Sequence, residues 1–208
     1  MSNSPECLFQ IMSSNKENKY ALTCPIKGSL ALKDVHEYKA KWKELLGSEK
    51  DRIELYIIID LLRNDLSRIG KHFSKLLAKR LPMIVPGILH QYAKIVVALR
   101  PQENLKNIIF SLFPGGSITG APKRRVLKII HEVENYERGF YCGSTLLLRN
   151  GKIAASINIR SGVWNKDQKN FTYGAGGGIT LRSQAFDEYQ EMLLKVKSFF
   201  GDIFSIDD

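Results

Sequence analysis

Hydrophobic and polar positions divide the chain into short strand-like runs and longer stretches with helical spacing. Short apolar runs bounded by polar residues predict β-strands, and a polar turn is predicted at residues 13–19. The strands predicted in this way are residues 5–11, 20–26, 141–148, 152–160 and 171–173. The dipeptide Asn150-Gly151 lies between two of these runs and strongly favours a tight β-hairpin turn. We therefore expect antiparallel strands joined by hairpins.

Apolar residues with helical spacing predict five helices, and local signals mark some of their ends. Gly47 closes the first helix, and Ser48 begins the second with Asp51 three residues on, a pattern similar to a capping box. The helices predicted in this way are residues 34–46, 48–65, 103–110, 122–135 and 184–200. One face of the last helix carries Met192, Val196 and Phe199.

Two segments leave alternatives open at this level. Residues 73–82 are irregular or strand, and residues 87–100 mix apolar and polar positions in a way that fits helix or strand. The length of 208 residues fits one domain. Mixed helices and hairpins predict an α/β fold of the α+β type, rather than a doubly wound parallel sheet.

Composition narrows the class of function. The chain is 44% hydrophobic and 25% charged, as ordinary globular proteins are, and it has three scattered cysteines. No run reaches the roughly 20 apolar residues of a membrane helix, and no signal peptide is evident, so we expect a cytoplasmic protein. The formal charge is +10, yet the basic residues are spread along the chain without the signature of a nucleic-acid module. We expect small anionic substrates instead, with no nucleic acid and no membrane.

The most unusual stretch is FPGGSITGAPK at residues 113–123, a glycine-rich loop that precedes an amphipathic helix. Gly115 and Gly116 permit close approach to the main chain, and Ser117 and Thr119 supply hydroxyls. A loop at a helix N-terminus can bind an anion, and a plain turn is the alternative. The stretch is not a Walker A loop, because no Gly-Lys-Ser/Thr follows its glycines.

Two pairs of carboxylates lie three residues apart on predicted helices: Asp51 with Glu54, and Glu188 with Glu191. This spacing places each pair on one helix face. Together they offer oxygen ligands for a hard cation such as Mg²⁺, which takes one or two carboxylates directly and keeps waters. Solvated helix faces are the alternative, and Lys195 beside Glu191 fits an ordinary helix salt bridge.

Several other side chains could take part in chemistry. Lys27 lies in the apolar setting Pro25-Ile26-Lys27-Gly28, where a lysine can act as nucleophile or base, although a surface lysine beside a turn fits as well. Glu6 follows a proline in an early strand and could serve as a general acid.

Arg160 ends a predicted strand and could bind a carboxylate with two hydrogen bonds. His90 is a candidate ligand contact or a core histidine. The glycine run Gly176, Gly177 and Gly178 could expose backbone N–H groups to an anion.

Taken together, the segments resemble the chorismate-binding enzymes, and within them the component I type of aminodeoxychorismate synthase. The matching segments run in order from residue 4 to about residue 200. They are SPE, PIKGS, SEKDRIE, DLLRNDL, FPGGSITGAPK, YCGS, INIRSG, GAGGGI and EYQEMLLK. The resemblance implies two packed, mostly antiparallel β-sheets flanked by helices, with chorismate and Mg²⁺ held between them.

The same resemblance implies roles for the candidate residues. Glu54 and Glu188 match metal ligands, and Asp51 and Glu191 match acids that hold the metal's waters. Other residues match family positions that bind one of three parts of chorismate or lie beside the metal. They are Tyr141, Arg160 and Gly176 to Gly178 for the enolpyruvyl carboxylate, Ser117 and Thr119 for the ring, His90 for the ring carboxylate, and Lys195 beside the metal.

Lys27 indicates the subfamily, because anthranilate synthases typically have alanine at this position of the motif. The resemblance implies that Lys27 adds to C2 of chorismate while Glu6 protonates the departing C4 hydroxyl. Ammonia from a glutamine amidotransferase subunit then gives 4-amino-4-deoxychorismate, on the route to 4-aminobenzoate and folate. The alternatives are an anthranilate or isochorismate synthase and a non-catalytic fragment.

The sequence departs from the family pattern in a few places. Cys7-Leu8 follows SPE where members usually carry Arg-Phe or a similar pair, and Leu55 replaces a frequent histidine. Members also have a long N-terminal region before SPE. We therefore expect residues 1–208 to be the C-terminal part of a chorismate-binding catalytic domain. The alternatives are a split-gene product, a truncated reading frame, or a fragment that needs a separate N-terminal half.

Overall fold

A computed structural model describes residues 2–13 and 18–201. The described residues form nine strands and five α-helices. In chain order the elements are β1 (Cys7–Ser13), β2 (Lys19–Cys24), β3 (Ile26–Ala31), α1 (Tyr38–Gly47), α2 (Glu49–Ser67), β4 (Lys75–Val85), β5 (Ile88–Ala98), α3 (Leu105–Leu112), α4 (Lys123–Val133), β6 (Ser144–Arg149), β7 (Lys152–Ile157), β8 (Ser161–Asn165), β9 (Asn170–Gly174) and α5 (Ala185–Phe200). Short 3₁₀ turns cover Val35–Glu37 and Gly116–Ile118.

Seven of the described strands form one antiparallel sheet. Strand β5 is long enough to pair with β3 through its first half and β2 through its second, while β4 pairs along its other edge. From β2 the sheet continues through β1 and β7 to β6. Strands β8 and β9 form a separate two-stranded sheet. The fold is therefore mixed α/β with antiparallel sheets, as the sequence predicts.

The main core lies between this sheet and helices α2 and α3. Helix α2 buries Leu55, Ile58 and Leu62 against sheet residues that include Phe9 and Ile95. Because apolar residues recur every three or four positions in α2, they form one stripe that faces the sheet. Asp51 and Glu54 lie on the same face of α2, one turn before Leu55 and Ile58, and Asp51 is next to Gly28 of β3.

Several predictions are confirmed by the structure. Ser48 caps α2, its side-chain oxygen accepting a hydrogen bond from the Asp51 N–H at 3.2 Å. Strands β6 and β7 form the hairpin around Asn150-Gly151. Both ambiguous segments are strands, since the structure has β4 at Lys75–Val85 and β5 at Ile88–Ala98.

Other boundaries need correction. Strand β7 ends at Ile157, so Arg160 lies in the connection to β8 rather than at a strand end. Strand β8 was not predicted, and a separate strand β3 carries Lys27. The predicted turn at 13–19 falls mainly on residues 14–17, outside the described part of the chain. Among the described helices, none combines the length and the apolar character needed to cross a bilayer.

Candidate active site

Lys27 lies on β3, opposite Gln91 of β5, at a point where the pairing register shifts. The irregularity is located at Gly28, whose φ of +83° belongs to the left-handed region that favours glycine. A Cβ atom at Gly28 would lie 2.9 Å from Gln91 Nε2 and 3.1 Å from Asp51 Cβ. Glycine therefore lets β3 pass close to α2, which brings Lys27 toward the carboxylates of that helix.

The side chain of Lys27 contacts the glycine run that follows β9. A Cβ atom at Gly178 would lie 2.7 Å from Lys27 Nζ and 3.8 Å from Glu54 Oε2. A Cβ atom at Gly177 would lie 3.3 Å from Glu188 Oε2. The absence of side chains at these two positions lets the glycine run pass close to Lys27 and to both carboxylates.

The predicted carboxylates converge from α2 and α5. Burial raises the pKa of Asp51 and of Glu54, and the negative charge of nearby Glu191 raises both further, although Lys50 opposes the shift. Glu188 differs from them. Burial would raise the pKa of Glu188, but hydrogen bonds from Lys50 and Ser183 outweigh it and leave that pKa lowered. The site thus gathers acidic groups that repel one another.

These residues fit a Mg²⁺ site with few direct protein ligands. The Oε1 atom of Glu54 is buried and accepts no hydrogen bond from any described residue. Within residues 2–13 and 18–201 no three His, Cys, Asp or Glu side chains come together as a ready metal shell. Mg²⁺ often uses only one or two carboxylates and keeps its waters, so Glu54 and Glu188 suit it.

Glu6 lies just before β1 and is buried. Burial raises the pKa of Glu6, while Ser117, Lys27 and Lys195 act to lower it without cancelling the effect of burial. The Ser117 hydroxyl is buried and reaches no described partner with good hydrogen-bond geometry. A carboxyl group kept protonated to a higher pH is suited to donate a proton.

His90 and Arg160 form a buried pair. Arg160 Nη2 lies 2.5 Å from His90 Nε2, so the guanidinium donates to the imidazole, and Nε2 carries no proton. The proton then resides on Nδ1, which lies 3.2 Å from the Gly28 carbonyl oxygen and can donate to it. Burial and the charge of Arg160 lower the pKa of His90 to about 3. His90 is therefore neutral and positions Arg160, whose φ of +49° is unusual for a residue with a side chain.

Tyr141 packs against the end of β9. A Cβ atom at Gly174 would overlap its ring at 2.3 Å from Cγ, and one at Gly176 would lie 2.8 Å from its hydroxyl. Lys195 Nζ donates to the Gly176 carbonyl at 3.3 Å and lies 3.0 Å from Glu191 Oε1. Tyr141 and Lys195 thus both contact the glycine run at Gly176.

The structure brings most of the predicted residues to one region between β3, α2, α5 and the glycine run. Thr119 differs from them, because its hydroxyl is used within the glycine-rich loop. It donates a hydrogen bond to the Gly115 carbonyl oxygen at 2.9 Å and so stabilises the loop. Two residues at the site were not predicted. Lys50 could have been noticed from its spacing of four residues before Glu54, whereas Ser183 gave no sequence signal.

Comparison with known proteins gives a family. Residues 1–201 match the family model described as chorismate binding enzyme. An uncharacterized PabA-like protein of Haemophilus influenzae is 34% identical over 200 residues, which are 93% of this chain and 57% of that protein. Aminodeoxychorismate synthase component 1 of Salmonella typhimurium is 37% identical over 203 residues, 94% of this chain and 42% of the relative.

Solved structures agree with the fold. Anthranilate synthase component I from Streptococcus pneumoniae superposes with a TM-score of 0.80 at 29% identity, covering 96% of this chain and 43% of its own. An isochorismate synthase structure from Bacillus anthracis, described in its name as putative, gives a TM-score of 0.83 at 22% identity, a likeness of fold alone. The chain spans about half the length of the curated relatives it matches.

Proposed function

The chain belongs to the chorismate binding enzyme family, and on this premise we propose that it catalyses the reaction of aminodeoxychorismate synthase component I. Chorismate and ammonia would be converted to 4-amino-4-deoxychorismate. The observation that carries the proposal is the position of Lys27, whose Nζ lies beside Gly178, near Glu54. Relatives named aminodeoxychorismate synthase component 1, at 35 to 38% identity, support it.

Two displacements make up the proposed reaction. The Lys27 amine adds to C2 of chorismate, the ring double bonds shift, and the C4–O bond breaks as Glu6 protonates the leaving hydroxyl to water. Ammonia then adds to C4, the double bonds return, and the bond between C2 and Lys27 breaks, which regenerates the lysine. The new ammonium group at C4 returns a proton to Glu6, so the general acid is also regenerated. The enolpyruvyl ether stays intact throughout, so this product retains its three-carbon side group.

Recognition of the substrate follows from the charges of the site. Arg160, placed by neutral His90, and Tyr141 beside Gly176 would bind the enolpyruvyl carboxylate. Glu54 and Glu188 would hold Mg²⁺, with Asp51 and Glu191 on its waters, and the bound ion would act as a Lewis acid toward the ring carboxylate.

The proposed partners follow from the chemistry. Ammonia is mostly ammonium at neutral pH, so a glutamine amidotransferase subunit would supply it near the site. Because the chain spans about half the length of its relatives, a further N-terminal segment is proposed to complete the pocket. We propose that these reactions take place in the cytoplasm and lead toward 4-aminobenzoate and folate.

The test is to incubate the protein with chorismate, ¹⁵N-ammonium and Mg²⁺ and to identify the product by mass spectrometry. We expect a product that contains one ¹⁵N and keeps the enolpyruvyl group. Lys27→Ala should lower its formation by at least about 100-fold, the scale of removing a catalytic nucleophile or base. Lys75→Ala, at an exposed position of β4, serves as the control for loss of a lysine.

Three results would contradict the proposal. Anthranilate as product would place the enzyme with anthranilate synthases, the function of the structurally similar Streptococcus protein. Isochorismate as product would show that water, rather than ammonia, is the final nucleophile. A product that forms equally well with Lys27→Ala would remove the covalent role of that lysine.

A further inference from the structure

Lys50 occupies a central place between the two helices that supply the carboxylates. It lies in the first turn of α2, and its Nζ is 2.6 Å from Glu188 Oε1 on α5. The same nitrogen is 4.0 Å from Glu54 Oε1 on its own helix. Both glutamates are shielded from solvent, with side-chain exposures of 8% for Glu188 and 11% for Glu54.

An ordinary helix salt bridge does not describe this arrangement. Lys50 and Glu54 have the spacing of a helix pair, yet the shorter contact is to Glu188, which is 138 positions away in sequence. Lys195 and Glu191 show the ordinary case, an i,i+4 pair within α5 at 3.0 Å. Lys50 instead links α2 to α5 across the site.

Lys50 compensates the negative charges of Glu188 and Glu54 to different extents. Glu188 Oε1 receives two hydrogen bonds, from Lys50 Nζ and from Ser183 Oγ, both at 2.6 Å. Glu54 Oε1 lies beyond hydrogen-bond distance of Lys50 and accepts no hydrogen bond from any described residue. Buried carboxylates without a cation between them would repel each other, so the ammonium of Lys50 stabilises the pair. It leaves Glu54 Oε1 without a hydrogen bond.

We propose that Lys50 is the internal counter-ion of the metal site, occupying Glu188 in the metal-free protein and competing with the divalent cation for it. This inference rests on the proposed binding of Mg²⁺ by Glu54 and Glu188. A divalent cation on Glu188 would lie close to the ammonium that already contacts its Oε1, so the two positive charges repel each other and share the charge of one carboxylate. Lys50 therefore weakens Mg²⁺ binding and, without metal, holds α5 against α2.

The test measures Mg²⁺ binding by isothermal titration calorimetry on the whole chain, with neither chorismate nor ammonia present. Replacing a competing cation with a neutral amide should tighten binding, and we expect Lys50→Gln to lower the Mg²⁺ Kd about fivefold, the upper range for one ion pair near the surface. In EDTA the Tm of Lys50→Gln should lie below that of the wild type. Adding Mg²⁺ should raise the Tm of Lys50→Gln by more than it raises the Tm of the wild type. Lys41→Gln, which removes the exposed partner of Glu44 on α1, should change neither quantity.

The proposal is overturned if Lys50→Gln binds Mg²⁺ no more tightly than the wild type, or if neither protein binds it. If Lys50→Gln does not fold, side-chain NMR of the wild-type lysines gives the answer. The Lys50 resonances should shift on adding Mg²⁺ while those of Lys41 stay in place, and unchanged Lys50 resonances would reject the idea. Because no substrate is used, tight binding together with a different reaction product would overturn the proposed function alone.

Discussion

Glu6 illustrates at the scale of one residue how the fold changes the chemistry of a side chain. It is a buried carboxyl group just before β1, and burial raises its pKa above the ordinary value of 4.5. The same burial that suits it to donate a proton makes its ionised form costly in the folded protein. Function and stability should therefore respond in opposite directions when the charge is removed.

We predict that Glu6→Gln lowers the rate of product formation by about 100-fold or more, since a general acid contributes on this scale. The unfolded chain releases the Glu6 proton near pH 4.5, whereas the folded chain keeps it to a higher pH. Between these two values the folded state binds more protons, so this contribution to the free energy of unfolding falls as pH rises. Glu6→Gln lacks that loss and should be more stable than the wild type at neutral pH.

Urea unfolding of both proteins at several values between pH 4.5 and 8 measures the effect. The difference in stability should shrink as pH falls toward 4.5. Glu44→Gln, at an exposed position of α1, controls for replacement of a glutamate. A difference between wild type and Glu6→Gln that stays constant across this range would show that burial does not hold the proton on Glu6.

At the scale of elements, one buried ion pair connects α2 to the end of the glycine-rich loop. Lys123 begins α4, directly after that loop, and its Nζ lies 2.6 Å from Asp65 Oδ2 near the end of α2. The side chains are 18% and 3% exposed, respectively. Since the loop also carries Ser117, this pair helps to fix one wall of the site relative to α2.

We predict that Lys123→Met lowers the free energy of unfolding by about 2 kcal/mol, because it leaves Asp65 buried without its cation. Adding Asp65→Asn to Lys123→Met should recover part of the loss. Urea denaturation of the two single variants and the double variant gives the coupling energy. Lys128→Met, at an exposed position of the same helix, should change stability little. Additive effects of the two substitutions would mean that the pair contributes nothing specific.

Local signals predicted much of the element order. Ser48 and Asp51 begin α2, and Asn150-Gly151 joins β6 to β7, because both features depend on residues close in sequence. The ambiguity at residues 87–100 has a physical cause. Strand β5 buries the polar residues His90 and Gln91 and leaves the apolar residue Val96 half-buried, so apolar character does not mark its buried positions.

The site was harder to predict than the fold. Residue types and the family resemblance indicated the carboxylates, Lys27 and Arg160, and the structure gathers them. The contact of Lys50 with Glu188 depends on how α5 packs beside α2, which no local pattern encodes. The neutral state of His90 likewise depends on burial beside Arg160, a consequence of the assembled fold.

At the scale of the whole molecule, β6 lies at one edge of the large sheet in the described part of the chain. Leu147 and Leu148 on this strand are 61% and 58% exposed. An edge strand that exposes apolar side chains and unpaired backbone groups can pair with another chain. The relatives are about twice as long, and a longer protein would have further segments available to cover such an edge.

We predict that the 208-residue chain associates as its concentration rises, through β6. Analytical ultracentrifugation should show the average mass increasing with concentration. Leu147→Lys should reduce the association, because a charge at a strand edge opposes pairing. Val133→Lys, which alters an exposed apolar residue on α4, should not. A chain that stays monomeric over the whole range of protein concentration would contradict the prediction that β6 mediates association.

The central claim is that Lys27 forms a covalent bond with chorismate, and intact-protein mass spectrometry without ammonia tests it most directly. With Mg²⁺ present and no amine to complete the reaction, the wild-type protein should gain the mass of chorismate less one water. Peptide mapping should place the added mass on Lys27, and Lys27→Ala should gain none. Turnover without any adduct on Lys27, or an adduct that persists in Lys27→Ala, would contradict the account.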